Sequence, residues 1–311
     1  MILQRTVKNL AEIQGIGLHS GANINLRIRP ADADTGIIFH RREGDRVVAI
    51  KSAPENVVDT RMATVLGREG LSVSTVEHFL AALSACGIDN VHVDIDGPEI
   101  PILDGSAAPF IKLIEKAGIE SLPASRRFIA IRKPISLIEG EKRISIIPSR
   151  FFRITFDIAF EHKAIALQQY SMKFSADNFA RDIAPARTFG FLHEVEYLKA
   201  NGLARGGSLD NAVVIDDNGV MNPEGLRYQD EFVRHKILDS VGDLYLAGAP
   251  IIGHFHGSRS GHAMNHRLLV ALFADPEAWT KVPMPRVAAQ EIELDSAAFA
   301  LPEDIPAAAA R

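Results

Sequence analysis

Residues 74–87, STVEHFLAALSACG, mark the point where a run of strand-like segments turns helical. Ser74 and Glu77 have the spacing of a capping box, and Val76, Phe79, Leu80 and Leu83 follow at helical intervals. Gly87 supplies a stop. Upstream, residues 24–29 alternate apolar and polar side chains as a half-buried strand does. Residues 62–66 and 71–73 flank Gly67-Arg68-Glu69-Gly70 as a hairpin. Downstream come a strand at residues 91–95, a loop around Gly97-Pro98 and a helix over about 107–117.

The same order returns in the second half. Strand-like segments lie at 128–131, 144–147 and 152–160, a long helix is predicted over about 230–247 ending near Gly248, then a strand at 251–255 and a helix over about 261–273. The two halves share no visible repeat, yet strands, helix, strand, helix occur in each. A duplicated α+β unit follows, with domains at 1–122 and 128–300 and a linker at 121–127. One stretch has no counterpart in the first half. Residues 189–203 read as a helix with Leu192, Val195 and Leu198 on one face, and 211–215 as a strand, so about 189–215 form an insertion. The end of the chain, 307–311, is expected to fray.

With 311 residues, 47% apolar and 23% charged, the chain has the length and composition of a globular protein of about two domains. A single cysteine, Cys86, excludes an internal disulfide framework and a cysteine-based zinc site, so any metal must be held by nitrogen and oxygen. Cys86 itself reads as a small buried hydrophobe. Apolar runs such as 247–253 fall far short of the ~20 residues of a membrane span, and the N-terminus lacks the order of a secretory signal. The net charge of -5 gives no nucleic-acid footprint. A cytoplasmic protein is the expectation.

Residues 232–243, FVRHKILDSVGD, carry the most chemistry. On a helix His235, Asp239 and Asp243 form one stripe, and an imidazole and a carboxylate one turn apart can reach one cation. A solvated face with helix-stabilising charge pairs is the plainer alternative. Glu77-His78 offers a third ligand with a base beside it, the pattern of catalytic zinc sites; alternatively Glu77 only completes the cap and His78 is polar surface. These two groups lie on corresponding helices, so facing units would bring them together. His262 opens a helix within residues 258–266 (SRSGHAMNH), where the dipole opposes its charge and Asp243 could counter it; a capping role is the alternative. His254 and His256 share a strand face and could form a second metal pair, with strand surface as the preferred reading. No dinucleotide fingerprint, P-loop or serine-hydrolase elbow is present.

Taken together, the motifs resemble the bacterial UDP-3-O-acyl-N-acetylglucosamine deacetylases, zinc amidohydrolases of lipid A biosynthesis. The matching blocks are residues 15–21 (GIGLHSG), 74–78 (STVEH), 97–109 (GPEIPILDGSAAP), 186–191 (ARTFGF), 206–211 (GGSLDN), 232–243 (FVRHKILDSVGD) and 260–262 (SGH). The resemblance implies that His78, His235 and Asp239 bind zinc, with iron as a possible competitor. It makes Glu77 the general base and His262 the acid or electrostatic partner, supported by Asp243. Lys236 is expected near the reacting amide and Thr188 beside the metal as an oxyanion donor. Phe189 and Phe191 would line the substrate cleft. The family fold pairs two α+β sandwiches with a βαβ insertion in the second, and Leu192, Val195, Ala204, Ser208, Ala212 and Val214 would line its acyl passage. Members act as monomers on the acylated UDP-sugar. Three other readings stand beside this one: a zinc amidohydrolase or peptidase for a different amide, a non-catalytic lipid- or sugar-nucleotide-binding protein, and an acyl-carrier or regulatory interaction protein, for which the composition offers no patch. A binding module needs no base, which argues against the second.

Overall fold

The computed structural model describes residues 2–283. Its first half runs β1 (Leu3–Val7), β2 (Ala11–Ile16), β3 (Asn23–Arg29), β4 (Ile37–Glu43), β5 (Arg46–Lys51), β6 (Val57–Asp59), β7 (Val65–Arg68), β8 (Leu71–Val73), α1 (Glu77–Cys86), β9 (Val91–Ile95), α2 (Ala108–Ala117) and β10 (Ile119–Ser125). The second runs β11 (Arg127–Ile131), β12 (Ile135–Glu139), β13 (Lys142–Ile147), β14 (Arg153–Ala159), β15 (Leu167–Lys173), α3 (Ala176–Asp182), β16 (Phe189–Phe191), α4 (Leu192–Ala200), β17 (Val213–Asp216), β18 (Gly219–Val220), α5 (Glu231–Tyr245), β19 (Ile251–Ile252), β20 (His254–Ser258), α6 (His262–Ala274) and β21 (Trp279–Pro283).

The duplication that the sequence implies is present in the topology. One five-stranded sheet has the order β2-β3-β9-β4-β5 and the other β12-β13-β20-β14-β15. In both, the middle strand pairs parallel with one neighbour, β4 or β14, and the remaining pairs are antiparallel. Alternation drives this layering: Ile24, Leu26 and Ile28 are buried while Asn23, Asn25 and Arg27 face water. Helix α1 therefore corresponds to α5 and α2 to α6. Phe79 of α1 packs edge-on against Phe39 of β4 and Phe110 of α2. Helices α1 and α5 lie against one another and join both halves in one apolar core. The fold is α+β, with a small antiparallel sheet β6-β7-β8 between β5 and α1. At the corresponding place in the second half, β16, α4 and β17 form a parallel βαβ unit.

Several local expectations change. The capping box does not form: Val76 at the N-cap is helical, and no side chain caps α1. The Glu77 carboxylate instead accepts from the Thr64 amide at 3.1 Å, because its end of the helix is buried by another segment rather than open to water. Gly87 does end α1, at a φ of 69°. The hairpin is tighter than expected, β7 starting at Val65. The linker at 121–127 is mostly strand, since β10 pairs with β1 and only Arg126 separates it from β11. The inserted helix starts at Leu192, because Phe189–Phe191 is drawn into β16 by pairing with β17. Gly253 splits the strand expected at 251–255, β19 pairing with β11 and β20 with β13. Residues 284–300, expected in the second domain, and 307–311, expected to fray, lie outside the described residues.

Candidate active site

Two helices deliver the site. α1 carries Glu77 and His78 in its first turn, and α5 carries His235, Lys236, Asp239 and Asp243 along one stripe. Their contact depends on Gly242: a Cβ there would lie 1.9 Å from the Glu77 carbonyl oxygen. Only a residue without a side chain lets α5 run so close to the start of α1.

His78, His235 and Asp239 are buried, and each offers one ligand atom within 4.8 Å of the others. Asp239 Oδ1 lies 3.4 Å from His78 Nε2 and 3.3 Å from His235 Nε2. His235 Nδ1 faces the Ala186 carbonyl at 3.0 Å, so the ring donates there and leaves the Nε2 lone pair for the cluster. Asp239 Oδ2 accepts from Lys236 Nζ at 2.8 Å, while Oδ1 is buried with no hydrogen-bond partner. Burial pushes His235 down to about 3, so its imidazole is neutral. Burial works against the Asp239 carboxylate too, but His235 and Lys236 outweigh it and hold the group well below the usual range. Two imidazole nitrogens and an orphaned carboxylate oxygen, all buried, fit a divalent cation with an open fourth position.

Glu77, Asp243 and His262 form a second buried group. Here the carboxylate of Asp243 is already saturated. Its Oδ2 accepts from His262 Nδ1 and Asn265 Nδ2, both at 2.8 Å, and its Oδ1 from the Thr64 hydroxyl at 2.5 Å. His262 Nε2 faces Glu77 Oε1 at 3.8 Å. The Asp243 carboxylate, unlike that of Asp239, therefore has both oxygens engaged by donors. Burial pushes Glu77 up to about 7, partly offset by His262 and His78. Burial alone would lower His262, yet Asp243 and Glu77 hold it up to about 10.

Both groups open on a cavity of about 460 Å³. Glu77, His78, Thr188, Phe189, His235, Lys236, Asp239 and His262 line its polar end; Leu192, Val195, Ala204, Ser208, Ala212 and Val214 line the arm under the insertion. Asp243 sits behind His262, outside the lining. Phe191 also lies outside it, stacked on His193 and packed against Phe160. A larger cavity of about 690 Å³ lies around Tyr245 and Gly248, at the far end of α5 from this chemistry. His254 and His256 bond to Thr155 and Asp157 on β14, so they form no pair of their own.

Three supports escaped the sequence reading. Arg187 and Glu231 form a fully buried ion pair at 2.9 Å that ties the segment before Thr188 to the first turn of α5. Buried Glu99 accepts the amides of His19 and Ser20 at about 3 Å and so holds the loop that brings His19 to the cavity. Gly105, at φ +83°, packs where a Cβ would meet the Asn211 carbonyl at 2.2 Å. The blocks at 97–109 and 206–211 thus lock together. Glycine and charge in those blocks were visible; partners in another block were not.

Two buried histidines and a carboxylate, with a second carboxylate and an imidazole beside them in one cavity, place the chain in the class of metal-dependent hydrolases. A family model described as LpxC, UDP-3-O-acyl N-acetylglycosamine deacetylase, matches residues 4–274. Proteins named UDP-3-O-acyl-N-acetylglucosamine deacetylase are similar along nearly the whole chain. That of Syntrophotalea carbinolica is 58% identical over 91% of each chain. The one from Geobacter sp. (strain M21) is 55% identical over 91% of this chain and 92% of its own, and that of Myxococcus xanthus 51% over 91% and 90%. The chain belongs to the UDP-3-O-acyl-N-acetylglucosamine deacetylase family, whose members are metalloenzymes.

Proposed function

We propose that this chain hydrolyses the acetamide of UDP-3-O-acyl-N-acetylglucosamine, releasing acetate and UDP-3-O-acyl-glucosamine for lipid A biosynthesis. One observation carries the reading: a buried two-histidine, one-carboxylate set and a carboxylate–imidazole pair share a cavity of about 460 Å³ that Leu192, Val195, Ala204, Ala212 and Val214 also line. Membership of the family supports it. The competing peptidase and binding-protein readings leave that apolar lining or the base unexplained.

An amide carbonyl is a poor electrophile and an amine a poor leaving group. Zinc, or iron in its place, held by His78, His235 and Asp239 would polarise the carbonyl and acidify water at the site. Glu77 takes a proton from the attacking water, its burial keeping it basic enough for the task. Water oxygen then bonds to the carbonyl carbon. The cationic His262, held by Asp243, offsets the charge on the tetrahedral species, and Lys236 and Thr188 face the same end of the cavity. The C–N bond breaks as the nitrogen takes a proton from His262 or from Glu77, and acetate leaves. Phe189, over which Lys236 Nζ sits at 5.7 Å, forms one wall of the cleft, with Phe191 behind it.

The acyl chain is assigned to the passage made by Leu192, Val195, Ala204, Ser208, Ala212 and Val214. We further propose domain limits at 1–122 and 128–300, and a monomer working in the cytoplasm. No helix among the described residues is long and apolar enough to cross a membrane. The test is deacetylation of the acylated UDP-sugar by one preparation, with and without a chelator, beside a panel of peptide amides. Chelation should abolish turnover and zinc restore it; hydrolysis of peptides but not of the sugar would overturn the proposal.

A further inference from the structure

We infer that Thr64 is a positioning residue for the acid–base pair, its buried hydroxyl fixing the Asp243 carboxylate that holds His262. The inference rests on the reading of Glu77, Asp243 and His262 given above.

Thr64 is 1% exposed and stands just before β7, in the small sheet that precedes α1. All three of its polar groups are used on the site. Its amide donates to Glu77 Oε2 at 3.1 Å, its carbonyl accepts from the Val76 amide at 3.4 Å, and its hydroxyl donates to Asp243 Oδ1 at 2.5 Å. The other Asp243 oxygen takes His262 Nδ1 and Asn265 Nδ2. A ring therefore closes through Thr64, Glu77, His262 and Asp243, with residues from β7's leading edge, α1, α5 and α6. A carboxylate can rotate about its Cβ–Cγ bond, and Asp243 is fixed only while both oxygens are engaged. Without the hydroxyl, Oδ1 would be buried and unsatisfied, and Asp243 would turn to relieve it. His262 would then lose the contact that aims Nε2 at the cavity. The Thr64 amide remains in any substitution, so its contact with Glu77 separates cleanly from the role of the hydroxyl.

The experiment uses metal-loaded protein carrying Thr64→Val, with Thr64→Ala as a second variant that removes the hydroxyl without the β-branch and Thr64→Ser as the rescue. The hydroxyl-free variants should lose about ten- to a hundredfold in kcat with KM and bound metal little changed, the size expected when a buried charged acceptor loses its donor. Serine should recover most of the rate. In an Asp243→Asn background the Thr64→Val change should cost less than threefold, because the carboxylate it serves is gone. The proton NMR spectrum gives a readout independent of turnover: the downfield Nδ1 proton of His262 should be present in the wild type and Thr64→Ser, and shifted or exchange-broadened in Thr64→Val. A Thr64→Val enzyme within twofold of wild type, or a full additive loss in the Asp243→Asn background, would overturn the inference. Wild-type protein with no deacetylase activity would instead sink the functional reading and leave the His262 resonance to decide this one.

Discussion

Substituting Gly242 by alanine should disable the enzyme from a position that touches no substrate. The added Cβ would lie 1.9 Å from the Glu77 carbonyl oxygen and 2.9 Å from its Cα, whereas real Cβ atoms essentially never come within 3.0 Å of a neighbour. The helices α1 and α5 must therefore part by about 1 Å, the difference between 3.0 and 1.9 Å. That opening falls on the gap between His78 Nε2 and Asp239 Oδ1, now 3.4 Å, and on the Glu77–His262 spacing of 3.8 Å. Ligands bind zinc at ~2.0–2.2 Å, so a shift of this size strips one of them from the ion. Displacing catalytic groups by ~1 Å costs on the order of 10²-fold in rate. Stability has two opposing contributions: alanine gains ~1 kcal/mol in helix propensity, while overpacking costs about 1–3 kcal/mol. The expected net is a loss of ~0–2 kcal/mol, and a Tm lower by only a few degrees. Metal content after dialysis, kcat and a urea melt measured on one preparation check all three. A variant with full metal, kcat within threefold of wild type and equal or greater stability would refute the argument that this close approach assembles the site.

Other perturbations separate the roles. His78→Ala and Asp239→Ala should lose metal and activity together, while Glu77→Gln keeps its metal and loses rate; elemental analysis showing full metal in both ligand variants would refute the ligand set. For pH, the proposed roles require Glu77 ionised and His262 protonated. Activity should fall as pH drops through the Glu77 pKa, which burial raises to about 7 and a cation beside it lowers, and fall again as pH rises through His262 near 10. In a kcat/KM profile Glu77→Gln should lose the acidic limb and His262→Ala the basic one; two unchanged limbs would end that division of labour. Replacing Ala212, on the wall of the apolar arm, by tryptophan should slow long-acyl substrates at least tenfold more than truncated ones, since filling the passage is felt only by the chain that occupies it. Equal losses would argue against an acyl passage there.

Much of this protein was legible in one dimension. Strands such as β3 declare themselves because burial on one face imposes a period of two, and α1 and α5 because helical geometry puts His235 and Asp239 one turn apart whatever surrounds them. The repeated order of elements announced a duplication, which the two sheets repeat strand for strand. Motifs carried the residues proposed here as ligands and base. Other features depended on partners far along the chain. Ser121–Ser125 became a strand because β1, more than a hundred residues away, offered an edge to pair with. Glu77 left its own cap for the Thr64 amide, and Thr64 reached Asp243 across 179 positions. Propensity and periodicity act between neighbours in sequence, so composition and spacing determine the elements and the residue types in reach of one another. Which buried oxygen is left open for a cation, and which is saturated by donors, is decided only when two helices close over a glycine and exclude water from what lies between.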